Sequence, residues 1–101
     1  MKKIDELFKV MAKVEKSVTL LLAFRGADVD RQEQNINVIH DYLCSIFGVK
    51  RVNYERITDY EFEIDVVMWP RYKKRKIKNF LSQIQVISIP LDFEFSYAIS
   101  H

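Results

Sequence analysis

Between Tyr60 and Trp69, apolar and polar residues alternate almost without a break. Tyr60, Phe62, Ile64, Val66 and Met68 fall on one side, and Glu61, Glu63 and Asp65 fall on the other. A period of two predicts a strand with one face on a core and the other in water. The last segment repeats the pattern, with Leu91, Phe93, Phe95, Tyr97 and Ile99 alternating with Asp92, Glu94, Ser96 and Ala98. Ser17 to Arg25 is apolar on both parities, in Leu21 and Ala23 as well as Val18, Leu20, Leu22 and Phe24. That predicts a central strand covered on both faces. Val52 and Tyr54 mark a further strand over Lys50 to Arg56, and Thr58-Asp59 supplies its turn into the acidic strand.

Three stretches have helical spacing instead. Ile4, Leu7, Phe8, Met11 and Val14 place an amphipathic helix from Lys3 to Glu15. Ile36, Ile39, Leu43 and Ile46 or Phe47 form a second stripe, with Asp28 or Asp30 as its N-cap and Gly48 as its C′ residue. Glu33 stands three residues after Asp30, in capping-box-like spacing. Pro70 opens a third helix, whose stripe is Ile77, Phe80, Leu81 and Ile84. Gln85 to Pro90 reads as an apolar connector.

The order helix, strand, helix, strand, strand, helix, strand contains βαββαβ after an additional N-terminal helix. Right-handed crossovers turn this into a ferredoxin-like α+β sandwich. It has a four-stranded antiparallel sheet with the first and third strands central, and two helices on one face. A helix–sheet arrangement with another strand order is the competing reading. No repeat or linker interrupts the chain, so a single domain is expected over 1–101. Its N-terminal helix covers 1–16 and its βαββαβ core covers 17–101.

Composition narrows the class. A chain of 101 residues, 49% hydrophobic and 30% charged, can build one core without metal or disulfide support and is neither a disordered nor a membrane type. Charged residues interrupt the N-terminal segment, so it does not read as a signal sequence, and no membrane partner is expected. The single cysteine, Cys44, cannot form an intramolecular disulfide, which suits a reducing, cytoplasmic setting.

Charge adds the strongest functional signal. The net formal charge is +2, yet Arg71, Lys73, Lys74, Arg75, Lys76 and Lys78 crowd into eight residues, leaving the rest of the chain net acidic. Cations in the first turns of a helix oppose its macrodipole at about 0.3 to 1 kcal/mol each. Their presence there points to an anionic partner, nucleic acid or an acidic protein surface. A solvated lysine-rich helix face is the plain alternative.

The open sheet face is expected to display Glu61, Glu63, Asp65, Asp92 and Glu94 around Leu21. Those acids would repel a phosphate backbone, whereas sheets that bind RNA display aromatic and basic residues. A second reading is therefore a protein-binding regulator or inhibitor, including a nucleic-acid mimic, acting through this acidic face on a basic protein partner or in a homodimer. Successive acids on the strand lie roughly 7 Å apart, too far to share one metal ion unaided. His40 and Cys44 sit one helical turn apart without a third ligand. Gly26 and Gly48 are the only glycines, so no phosphate-cradling loop exists. These absences lead to the expectation of a non-enzymatic binding module with no cofactor and no metal. Trp69, beside Pro70, is expected to anchor a corner of the core.

Overall fold

The computed structural model describes residues 16–26 and 28–100. The elements are β1 (Lys16–Phe24), α1 (Val29–Cys44), β2 (Val49–Arg56), β3 (Glu61–Met68), α2 (Lys74–Leu91) and β4 (Phe93–Ser100). All neighbouring strands are antiparallel, in the order β2-β3-β1-β4. This is the ferredoxin-like arrangement that the alternation implies, with β1 and β3 central. Residues 1–15 of the helix expected over 1–16 lie outside the described residues, and Lys16 is the first residue of β1.

One parity of each central strand builds the core. Val18, Leu20 and Leu22 of β1 and Phe62, Ile64, Val66 and Met68 of β3 are wholly buried, against Ile36, Ile39 and Leu43 of α1 and Ile77 and Ile84 of α2. Each such side chain contributes about 1.5–3 kcal/mol by leaving water. Arg56 fastens β2 to α1. Its guanidinium donates to Gln32 Oε1 at 3.0 Å and Glu33 Oε1 at 2.8 Å, while its carbon lies 4.5 Å from the Phe62 ring centroid. Glu33 thus serves as an ion-pair partner, and Asp28 is the cap, accepting from Arg31 N at 2.8 Å.

Several boundaries differ from the sequence expectation. α1 ends at Cys44 with Ser45 as its cap, so Gly48 is not its C′ residue. Gly48 instead turns the chain into β2 at φ 97°. α2 starts at Lys74 and not at Pro70, because residues 69–72 close a turn first, with Tyr72 N donating to Trp69 O at 3.0 Å. The same helix runs through the supposed connector, carrying Pro90 in its last turn. Ser88 faces the core one turn after Ile84, while Val86 and Ile89 face outward, so packing favours helix up to Leu91.

The open face of the sheet is also less covered than expected. Leu21 is 40% exposed, and Ser17, Thr19 and Ala23 are half-buried. The register sets Glu63 beside Leu21 and Asp65 beside Thr19, whose hydroxyl donates to Asp65 Oδ1 at 2.9 Å. Asp92 is not part of this face. It caps α2 with a left-handed backbone, φ 55°, and donates its N–H to Ile89 O.

Candidate functional site

Among the described residues, buried side chains occupy the space between sheet and helices, and the clefts described below lie at the margins of the sandwich. The two ends of the sheet differ in charge. Asp28, Asp30, Asp59, Glu61, Asp92 and Glu94, with Arg25, Arg31 and Arg56 among them, gather where the β1–α1, β2–β3 and α2–β4 connections lie. Lys16, Lys50, Arg51, Arg71 and Lys73 to Lys76 gather at the other end, around the α1–β2 and β3–α2 connections. The lopsided charge legible in the sequence therefore runs along the strands.

A cleft of about 210 Å³ opens at the basic end, lined by Phe47, Gly48, Trp69, Arg71, Tyr72 and Lys76. Antiparallel pairing creates it. Val49 of β2 stands opposite Met68 of β3, which brings the two following connections together, and Trp69 N donates to Gly48 O at 3.1 Å. Tyr72 is buried and packs over Gly48 so closely that a Cβ there would meet its ring carbons at 2.6 Å. Lys16 Nζ donates to Tyr72 O at 2.8 Å, tying the turn to β1. Tyr72 and Phe80 rings stand 6.5 Å apart.

The walls combine ring faces with cations. Lys50 Nζ lies 5.0 Å from the Trp69 ring centroid, and Lys76 Nζ lies 5.8 Å from that of Tyr72. At such distances the ring quadrupole attracts the ammonium. Burial pushes the Tyr72 phenol above its ordinary pKa, reinforced by the neighbouring Tyr42, so it stays neutral near pH 7. Phe47 is 90% exposed and Trp69 is 54% exposed. None of the six described lining residues is acidic.

Two other clefts have a different character. One of about 580 Å³ lies between the end of α2 and β4, lined by Arg25, Gln85, Ser88, Asp92, Phe93 and Glu94 among others. Its arginine is already engaged by Glu94. Another, of about 430 Å³, runs between the helices along Tyr42, Lys76, Asn79 and Gln83. The second shares Lys76 with the Trp69–Tyr72 cleft and sets it near Tyr42 and Phe80, but it has no arginine and no exposed ring among its described lining residues.

The residues singled out in the sequence separate in space. Arg71 lies in the turn before α2, Lys73 is its N-cap without a side-chain cap bond, and Lys74, Arg75, Lys76 and Lys78 follow on an exposed face. Of these, only Arg71 and Lys76 line the cleft. On the other surface, Glu61, Glu63 and Asp65 are half-buried on the open sheet face, and Glu94 is held by Arg25. His40 approaches Cys44 Sγ at 3.7 Å and Val52 O at 3.2 Å. Among the described residues no group of three or more histidine, cysteine or acidic side chains is placed to hold a metal ion. Sequence reasoning missed Phe47, Trp69 and Tyr72 as one set, having offered Phe47 to the buried stripe of α1 and Trp69 to a corner of the core. The available signal was two aromatic–cation clusters, F-G-V-K and W-P-R-Y-K, bordering the strands that pair.

No family model matches the chain, and no curated protein sequence matches it. Solved structures do. The chain is similar to a point mutant of SnoaB, a cofactor-independent oxygenase from Streptomyces nogalater, with a TM-score of 0.62 and 14% identity over 87% of this chain and 92% of that one. It is similar to a monooxygenase, from the gene ActVA-Orf6 of Streptomyces coelicolor, in complex with nanaomycin D, with a TM-score of 0.52 and 10% identity over 89% and 90% of the two chains. A dimeric ferredoxin-like protein of unknown function from Thermobifida fusca matches with a TM-score of 0.54 and 12% identity over 84% and 90%.

These likenesses confirm the ferredoxin-like fold and correct the functional expectation. The sequence pointed to a non-enzymatic module engaging nucleic acid through Arg71 to Lys78, or to a regulator acting through its acidic face. Neither reading stands against neighbours that are an oxygenase and a monooxygenase. The error was to treat missing glycine-rich and metal motifs as evidence against catalysis, when the same fold houses an oxygenase that uses no cofactor.

Proposed function

We propose that this chain is an oxygenase-type enzyme acting on a small organic molecule, with the Trp69–Tyr72 cleft as its binding site. The observation that carries the reading is the end-to-end match to SnoaB, over 87% of one chain and 92% of the other, which involves the whole domain and not a shared sub-motif. The cleft supports it independently, since convergent polar groups at an aromatic-lined concavity are what small-molecule sites consist of. At about 210 Å³ it is smaller than the roughly 300–1,000 Å³ typical of drug-sized ligands, so the substrate is small or partly exposed.

Oxidation of an organic molecule by dioxygen without a resident electron carrier makes the substrate itself the electron donor. Its deprotonated form is the better donor. Cations beside the ring favour that form, as they favour any nearby anion. Arg71 and Lys76 are placed for this role, and buried, neutral Tyr72 supplies a wall. A cytoplasmic setting, expected from the single free cysteine, accompanies this reading.

The test is protein-dependent dioxygen uptake with a panel of phenols, naphthols and related enolisable aromatics, followed by mass spectrometry of products made under labelled dioxygen. Uptake with label in the product is expected for at least one substrate. Uptake no faster than in buffer across the panel would remove the enzyme reading.

A further inference from the structure

We infer that the cleft at the basic end of the sheet selects a planar aromatic anion, an aryl carboxylate or a phenolate. The inference rests on the proposed function only in calling that ligand a substrate, because the binding argument is made from the cleft alone.

Aromatic faces and positive charge converge there from separate parts of the chain. Phe47 arrives from the α1–β2 connection, Trp69, Arg71 and Tyr72 from the β3–α2 connection, and Lys76 from the first turn of α2. An exposed phenylalanine and a half-exposed tryptophan on either side of one concavity are apolar surface left in water, and apolar surface concentrated in this way marks a contact. Flat side chains favour a flat ligand, since stacking maximises area at ring separations. The floor is kept low by Gly48, where any side chain would collide with Tyr72.

Charge chooses among flat ligands. Arg71 and Lys76 line the cleft, Lys50 stands over the Trp69 ring, and none of the described lining residues is acidic. The surrounding end of the molecule adds Lys73, Lys74 and Arg75, while most of the described carboxylates lie toward the far end of the sheet. A cationic or neutral aromatic would gain the stacking and lose the electrostatic part. An anionic one gains both, and the guanidinium of Arg71 can meet a carboxylate with paired hydrogen bonds.

Trp69 is the only tryptophan in the chain, so its emission reports the cleft directly. Titration with 2-naphthoate should give saturable quenching, with neutral 2-naphthamide binding about tenfold or more weakly. Arg71→Gln together with Lys76→Gln should weaken naphthoate by a similar factor and leave naphthamide unchanged. Phe47→Ala should weaken both. All three positions are exposed or at the rim, and an unchanged Tm verifies folding in each variant.

The inference is overturned by an absence of saturable quenching, by equal affinity for the neutral analogue, or by naphthoate binding that ignores the double variant. It is also overturned if Trp69 emission follows protein concentration and light scattering shows a second copy covering the cleft. Saturable naphthoate binding without dioxygen uptake on any substrate supports this inference and removes the enzyme reading. Dioxygen uptake on aromatics that the double variant leaves intact has the opposite effect.

Discussion

Gly48 and Gly26 adopt similar backbones, φ 97° and 70°, yet they stand in different surroundings. A Cβ on Gly26 would meet nothing within 4 Å, whereas on Gly48 it would press on the Tyr72 ring at 2.6 Å. Alanine at either position incurs the left-handed strain of about 1–3 kcal/mol, and only Gly48→Ala adds a steric term by displacing Tyr72. Urea denaturation should therefore show Gly48→Ala losing clearly more stability than Gly26→Ala. Equal losses would mean that Tyr72 moves freely and the cleft floor is soft. The need for glycine before β2 was legible from the sequence, but its reason was not, because Tyr72 lies 24 residues further along. Phe47 misled in the same way. Its spacing matched the buried stripe of α1, but the helix ends at Cys44 and leaves it exposed.

At the scale of the elements, the two helices begin in opposite ways. α1 has Asp28 as cap and Asp30 in its first turn, while α2 has Lys73 as an inert cap and cations throughout its first turn. Lys73→Asp should raise stability by about 1 kcal/mol, through a new cap bond and a better charge for the macrodipole. The urea midpoint checks this, and a variant no more stable than the parent would show that the first-turn N–H groups are already satisfied. Lys73 does not line the cleft, so binding of the neutral naphthamide should be unchanged, while naphthoate should weaken as the surrounding positive charge falls. The apolar stripe of α2 was readable from Ile77 to Ile84. Its last turn was not, because Pro90 is a common stop signal, and it takes the burial of Ser88 with the packing of Ile87 and Leu91 to show the helix still on the core beyond Gln85.

For the whole molecule, stability should depend on pH at the alkaline side. Burial raises the pKa of Tyr42 above its ordinary 10.0, and burial together with Tyr42 raises that of Tyr72. A phenol with a higher pKa folded than unfolded holds its proton more tightly in the native state. Its contribution is complete below the unfolded value and is lost as pH rises through the folded one. Tm should fall as pH climbs past about 10, and Tyr42→Phe with Tyr72→Phe should flatten that fall. An unchanged slope in the double variant would place the alkaline loss on groups other than these two phenols. The charge imbalance was countable from the sequence, but its direction along the strands depends on which connections share an end of the sheet.

What the sequence by itself determined were properties of period and parity. Phe62, Ile64, Val66 and Met68 had to face one way, and Ile77, Phe80, Leu81 and Ile84 had to share a stripe, because backbone geometry repeats within each segment regardless of its neighbours. Element order with right-handed crossovers then favoured the observed sheet over another strand order. Tertiary structure alone decided what meets across segments. It placed Asp92 in a helix cap and not on the sheet, left Leu21 exposed, and brought Phe47, Trp69, Tyr72 and Lys76 around one cleft. The physical reason is that such contacts follow from strand pairing, here Val49 opposite Met68, and from where each helix stops, neither of which is encoded in any local pattern.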